Sequence, residues 1–130
     1  MKKVLIIGKR GFIGNNLSKY LKKFYLVTYK SYKNINNLKL TINNFDYIIN
    51  TSINKKYIEK KYNHKFDNDF KISSFVNNNK TIYIFLSTRK VYKAKINIKE
   101  NSKILPKSNY AKNKLITEKK LKKKFKKNLI

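Results

Sequence analysis

The chain contains no cysteine, three glycines and only two arginines, Arg10 and Arg89, among its 33 basic residues. Each scarcity removes a class of function. Without cysteine there is no disulfide framework and no thiolate metal site, and the count leaves the redox compartment open. Long apolar runs are missing too: after Met1-Lys2-Lys3 the hydrophobic stretch is only Val4 to Ile7 before Gly8 breaks it. That is too short for a membrane span or a cleavable signal, and it reads as a strand of a cytoplasmic protein with no membrane partner. A surface built to read nucleic acid uses arginine for bidentate phosphate and base contacts. Here the net charge of +27 comes almost wholly from lysine, in a chain also crowded with Asn, Ile, Tyr and Phe, the residues that A/T-rich coding yields. The charge therefore reads mostly as solvated surface that attracts polyanions nonspecifically.

What remains is enough to fold. With 41% hydrophobic and 14% aromatic residues over 130 positions, the composition is that of one globular domain, near the lower edge of size for a complete doubly wound sheet. All three glycines fall in one place, in Val4-Leu5-Ile6-Ile7-Gly8-Lys9-Arg10-Gly11-Phe12-Ile13-Gly14. A β-branched run that breaks into glycines and then a helix gives the backbone room to approach a ligand. The helix start adds free N–H groups and a positive dipole end for a phosphate. This is the mechanics of a dinucleotide-binding βα turn.

Further along, Ile13, Leu17, Tyr20, Leu21 and Phe24 recur at helical spacing, predicting one apolar stripe packed on a sheet with Lys19, Lys22 and Lys23 outside. Tyr25 to Tyr29 reads as a second strand. In dinucleotide folds an acid after that strand binds the ribose of NAD, whereas basic residues there accommodate the extra phosphate of NADP. Lys30, Ser31 and Lys33 follow with no acid nearby, which favours NADP over NAD. Residues 34–45 are rich in Asn, and the period of Ile35, Leu38, Leu40 and Ile42 fits a short strand or a helical turn. Phe45 to Ser52 reads as a buried strand ending in small polar residues, at the edge where ligands sit in open α/β sheets. From Asn54 to Asn79 the chain is polar, with Phe70, Ile72, Phe75 and Val76 predicting a helix in the second half. His64, Asp67 and Asp69 have no fourth partner for a metal and read as a solvated helix start.

Thr81 to Leu86 is another strand, delivering Ser87 and Thr88 to its carboxyl end. Downstream lie Pro106 and then Tyr110-Ala111-Lys112-Asn113-Lys114, opening a helix whose buried stripe is predicted as Ala111, Leu115, Leu121 and Phe125, the rest being crowded with lysine. A tyrosine and a lysine four apart on a helix share a side. A nearby ammonium lowers a phenol's pKa and suits it to acid/base work. Tyr-x-x-x-Lys is common in this chain, also fitting Tyr29 with Lys33 and Tyr57 with Lys61. Tyr110 is set apart by the hydroxyl-bearing strand end before it and the helix after it. Asn128-Leu129-Ile130 reads as the start of a further strand.

The Gly-x-x-Gly-x-x-Gly turn, Ser87-Thr88-Arg89-Lys90-Val91-Tyr92, Glu100, Pro106 and the Tyr110–Lys114 pair, in this order, resemble the extended short-chain dehydrogenase/reductase family, also called the NAD-dependent epimerase/dehydratase family. The resemblance covers most of the chain and implies an α/β fold, a Rossmann-type doubly wound parallel sheet. It implies that residues 1–130 are its NAD(P)-binding domain, without the later strands and the lobe that binds a nucleotide-sugar. By the same resemblance Thr88 bonds a substrate oxygen, with Ser87 as fallback. Tyr110 is the acid/base, and Lys114 holds the cofactor ribose and tunes Tyr110. The cofactor, NADP or NAD, is held by Gly8, Gly11, Phe12, Ile13 and Gly14, by Lys30 and Ser31, by Asn50, Thr51 and Ser52, and by Lys114. No metal is implied. Arg89 and Lys90 stand where water-eliminating members carry an Asp-Glu pair, which favours epimerisation or carbonyl reduction. Lys93 stands where a glycine is usual.

The sequence thus reads as part of a nucleotide-sugar epimerase or reductase, acting as a homodimer or with a complementing chain. The alternatives are a cofactor-binding remnant without catalysis, or a basic nucleic-acid binder on the same fold.

Overall fold

A computed structural model describes all residues, 1–130. Four parallel strands form one sheet: β1 (Lys3–Ile7), β2 (Leu26–Lys30), β3 (Tyr47–Asn50) and β4 (Ile82–Ile84), in the order β2-β1-β3-β4. Its helices are α1 (Phe12–Leu21), α2 (Lys55–Glu59), α3 (Asn68–Ser74) and α4 (Asn109–Phe125). The chain steps from β1 outward to β2, then crosses back over β1 to β3. The order therefore reverses between β1 and β3, and such a switch point leaves a crevice at the carboxyl ends of the two strands. Gly8 follows β1 at that crevice, and Thr51 follows β3.

Alternation within the strands divides the core. Leu5, Ile7, Ile48, Tyr83 and Phe85 face one side, where they join Ile35, Leu38, Ile42, Ile72, Val76, Leu121 and Phe125 in a cluster of 12 buried residues. On the other side only Val4, Ile6 and Ile49 are fully buried, flanked by half-buried Leu17, Leu21, Tyr25, Val27, Tyr29, Tyr47 and Ile84. Each buried aliphatic or aromatic side chain contributes roughly 1.5–3 kcal/mol, so most apolar stabilisation lies on the first face.

Several expectations are refined. Residues 34–45 resolve into 3₁₀ turns, Tyr32–Leu38 and Ile42–Asn44, which bury Ile35, Leu38 and Ile42 and leave Leu40 in solvent. In α1 the predicted stripe holds at Leu17 and Leu21, which are half-buried against the sheet, but Ile13, Tyr20 and Phe24 are exposed, and the closest contacts are made by Gly14 and Ser18. The cause is proximity. A Cβ on Gly14 would stand 2.5 Å from Thr51 Oγ1 and 2.9 Å from the Tyr29 hydroxyl, so the helix is too close to admit large side chains there.

The stripe of α4 holds at Ala111, Leu121 and Phe125, but Leu115 is half-buried and Asn113, Lys114 and Thr117 are buried instead. Those polar side chains face α2 and α3, where Asn113 Nδ2 donates to the carbonyls of Tyr57 (2.7 Å) and Lys60 (2.8 Å). The end of the chain does pair as a further strand: Leu129 bridges Tyr83 in parallel, Ile130 N–H donates to the Tyr83 carbonyl at 3.0 Å, and Phe85 N–H donates to that of Ile130 at 2.8 Å.

Candidate functional site

The turn after β1 is assembled from backbone and small side chains. Gly8 has φ +124°, a conformation that disfavours any residue with a Cβ. Its N–H donates to the Lys30 carbonyl at 2.9 Å, while its own carbonyl accepts from Gly11 N–H at 2.9 Å and from the Tyr29 hydroxyl at 3.0 Å. Thr51 closes the floor, donating through both N–H (2.8 Å) and Oγ1 (2.9 Å) to the Ile7 carbonyl. Added side chains at Gly8 and Gly14 would both strike Thr51 Oγ1. The fold alone therefore requires those two glycines.

Gly11 is different. It is exposed, with ordinary extended backbone as the N-cap of α1, and an added Cβ would meet nothing closer than the Gly8 carbonyl at 3.4 Å. No carbonyl or side chain accepts from the Phe12, Ile13 or Gly14 amides, which are the unpaired donors of the first helical turn. The cradle is thus open where a phosphate needs close approach to backbone N–H groups, and the residues present fit a dinucleotide's pyrophosphate. Lys30 is exposed beside this turn, and Ser31 accepts weakly from Lys33 N–H at 3.4 Å. The Phe12 side chain is 85% exposed and makes no part of the core.

Of the residues expected after β3, Thr51 lines the turn, whereas Asn50 is turned inward. Its Oδ1 accepts from Ser52 N–H (2.9 Å) and Oγ (2.6 Å), and Ser52 Oγ accepts from Asn68 Nδ2 at 2.9 Å. Asn50 therefore shapes the loop from within.

Beyond β4 lie the predicted acid/base residues. Thr88 caps a 3₁₀ turn, its Oγ1 accepting from Lys90 N–H at 3.3 Å, and Ser87 Oγ donates to Glu118 Oε2 at 3.3 Å. Both line a cleft of about 1250 Å³ with Arg89, Tyr92, Glu100 and Lys122. Ser108 Oγ accepts from Ala111 N–H at 3.1 Å and starts α4, which places Tyr110 in its first turn. The Lys114 ammonium donates to the Leu86 carbonyl at 2.8 Å and lies 6.0 Å from the centre of the Tyr110 ring. Thr88, Tyr110 and Lys114 thus sit around the end of β4 without hydrogen bonds to one another. The expected lowering of the Tyr110 pKa is not present. Partial burial pushes it up and the Asp69 carboxylate adds to this, while burial pulls Lys114 down.

Sequence reasoning missed what lies beneath these residues. Asp67 and Asp69 do start a helix, since Asp67 Oδ1 accepts from Phe70 N–H at 2.9 Å, but they are 1% and 6% exposed and not solvated. Asp67 Oδ2 accepts from the hydroxyls of Thr117 (2.6 Å) and Tyr62 (2.9 Å), and Tyr57 shares a 2.6 Å hydrogen bond with Thr117. Asp69 Oδ1 accepts from Tyr83 at 2.8 Å. The usable signal was three tyrosines near two acids in an acid-poor chain. His64 is exposed, with its ring against Phe70, and no three His, Asp or Glu side chains converge as metal ligands would. No helix is long and apolar enough to cross a membrane.

No protein-family model matches the sequence, and no curated protein does. Solved structures do match. A UDP-N-acetylglucosamine 4-epimerase from Methanobrevibacter ruminantium, in complex with UDP-N-acetylmuramic acid, superposes with TM-score 0.75 at 23% identity over 94% of this chain and 50% of its own. A UDP-glucose 4-epimerase from Brucella ovis with NAD gives 0.75 at 18% identity over 95% and 47%. A dTDP-glucose 4,6-dehydratase from Bacillus anthracis with NAD gives 0.75 at 15% identity over 99% and 53%. The chain spans about half the length of the chains it matches. The likeness read from the glycine turn and the Tyr110–Lys114 segment is therefore also a likeness of fold: the chain has the Rossmann-type α/β architecture found in nucleotide-sugar epimerases and dehydratases of the extended short-chain dehydrogenase/reductase type.

Proposed function

We propose that this chain is the NAD(P)-binding portion of an enzyme that epimerises or reduces a nucleotide-linked sugar. The observation that carries the reading is the open first turn of α1, where the Phe12, Ile13 and Gly14 amides have no acceptor and the Gly11 ahead of them is a glycine that the protein's own packing does not need. These amides and the dipole of α1 would hold the pyrophosphate, with Thr51 and Ser52 as floor. Lys30, Ser31 and Lys33 would take the ribose phosphate of NADP in preference to NAD. When bound, the nicotinamide supplies reversible hydride acceptance and donation. Thr88 would donate a hydrogen bond to a substrate oxygen, and Tyr110 would give or take the proton at that oxygen through its hydroxyl. Lys114 would stabilise the phenolate that results and hold the cofactor ribose. Known neighbours acting on UDP- and dTDP-linked sugars support that substrate class.

Fluorescence titration of the purified chain should show saturable NADPH binding, tighter than NADH. Gly11→Val should weaken it at least tenfold, about 1.4 kcal/mol. Weak binding shared equally by parent and variant and abolished by moderate salt would reduce the effect to lysine attraction. The 130 residues alone should not turn over a nucleotide-linked keto-sugar, since positioning of the substrate supplies roughly 7–11 kcal/mol of such a barrier. Once a sugar-binding lobe is supplied, Tyr110→Phe should abolish NADPH oxidation and leave NADPH affinity nearly unchanged.

A further inference from the structure

Among 33 basic and six acidic residues only three are buried, Asp67, Asp69 and Lys114. Asp67 and Asp69 stand at the start of α3 and Lys114 on α4, and all three wall one cavity of about 10 Å³, together with Ser52, Asn54, Tyr57 and Asn68. That is room for about one water molecule. A buried charge is costly unless another charge or hydrogen bonds compensate it, and an ammonium needs acceptors. Lys114 has one, the Leu86 carbonyl, and otherwise lies against rings, 4.7 Å from the centre of Phe85 and 6.0 Å from those of Tyr57 and Tyr110. The three salt bridges of the molecule, Lys2–Asp46, Lys55–Glu59 and Lys122–Glu118, involve none of these buried groups.

The two carboxylates are not equivalent. Asp67 is occupied on both oxygens by Phe70 N–H and the Thr117 and Tyr62 hydroxyls, whereas Asp69 receives one hydroxyl, from Tyr83 on Oδ1, with the Asn50 side chain as its other polar neighbour. The other titratable groups around them are tyrosines: Tyr32, Tyr57, Tyr62, Tyr83 and Tyr110, all pushed up by burial and therefore neutral. Only the carboxylates can supply counter-charge. We infer that Asp69 is the positioning residue for Lys114: its carboxylate, across the shared cavity, keeps the buried ammonium charged and held at the end of β4 beside Tyr110. Opposing effects agree with this. Burial raises Asp69 to about 6, and Lys114 is the largest influence pulling it back. Burial lowers Lys114, and Asp69 is the largest influence restoring it.

The consequence for Tyr110 rests on the function proposed above, but the coupling itself is measured without cofactor or substrate. In the chain labelled with ¹³Cε-lysine, the Lys114 resonance is identified by its loss in Lys114→Arg and titrated by NMR. Asp69→Asn, which keeps an oxygen for Tyr83, should lower the proton affinity of Lys114 at least tenfold. Tyr83→Phe, which removes the hydrogen bond and keeps the charge, should leave it within twofold. Reciprocally, Lys114→Gln should raise the proton affinity of Asp69, followed by ¹³Cγ, at least tenfold, and this arm decides the matter if Asp69→Asn does not fold. A Lys114 titration unmoved by Asp69→Asn, equal losses in Asp69→Asn and Tyr83→Phe, or an Asp69 titration unmoved by Lys114→Gln would each overturn the coupling. Failure to bind NADPH would sink the proposed function and leave this result standing.

Discussion

The two faces of the sheet differ in what holds them. One carries the 12-residue apolar cluster under α3, α4 and the 3₁₀ turns, and sinks three charges and a set of tyrosine hydroxyls around the shared cavity. The other carries α1 alone over Val4, Ile6 and Ile49, with Ile82 and Ile84 of β4 only half-buried. Apolar stabilisation is thus unevenly divided: the first face carries most of it, while the second supplies the open amides of the glycine turn. Alterations within the apolar cluster should act through folding, and alteration of Gly11 at the turn through binding.

The sharpest contrast is between equal truncations on opposite faces. Ile48→Ala removes a fully buried side chain from the larger cluster and should cost about 3–4 kcal/mol, whereas Ile84→Ala on the thinner face should cost about half as much. Urea denaturation with unchanged slope would measure both, and equal losses would break the comparison. Asp67→Ala should follow closely, at about 2–4 kcal/mol, because it removes the cap of α3 and leaves the Tyr62 and Thr117 hydroxyls without their shared acceptor.

Next comes Gly14→Ala, expected to cost about 1–3 kcal/mol because the new methyl group must displace Thr51 or Tyr29. Gly11→Ala should leave the urea midpoint nearly unmoved, so a matching loss there would show that the turn's glycines share a single structural role. A further test is in pH. The folded Asp69 binds its proton more tightly than the unfolded one, so its contribution favours folding most at low pH and declines as pH rises through about 6. Relative to Asp69→Asn, the parent should therefore lose stability between about pH 4 and pH 6 and then level off. A loss running in the opposite direction would mean that pairing with Lys114 outweighs burial.

The strands were legible because each is a β-branched or aromatic run that a sheet must bury, and the three clustered glycines marked the turn. The face of α1 was misread in part, for a local reason: amphipathic spacing assumes that large apolar residues point inward, but Gly14 sits so close to Thr51 that only small residues fit. Asp67 and Asp69 were misread as solvated because burial of an acid is decided by distant hydroxyls, here Thr117 from α4 and Tyr83 from β4. Local composition shows only that tyrosines lie near the two acids, not which hydroxyls reach them. The spacing of Tyr110 and Lys114 was visible, but it could not show that the ammonium would turn to the Leu86 carbonyl.

The contact at Gly14 has a mechanical meaning. The Gly8 carbonyl, Thr51 Oγ1 and the Tyr29 hydroxyl converge on one spot of α1, so the helix is keyed to the sheet at its amino end. Leu17, Ser18 and Leu21 continue this contact along the helix, while Tyr20 is exposed. A slide of α1 by one residue would drive Ile13 or Asn15 into a slot that does not admit even a methyl group. The contacts at Gly14 therefore block a slip of the helix along the sheet and fix the register of its first-turn amides against the ends of β1 and β3.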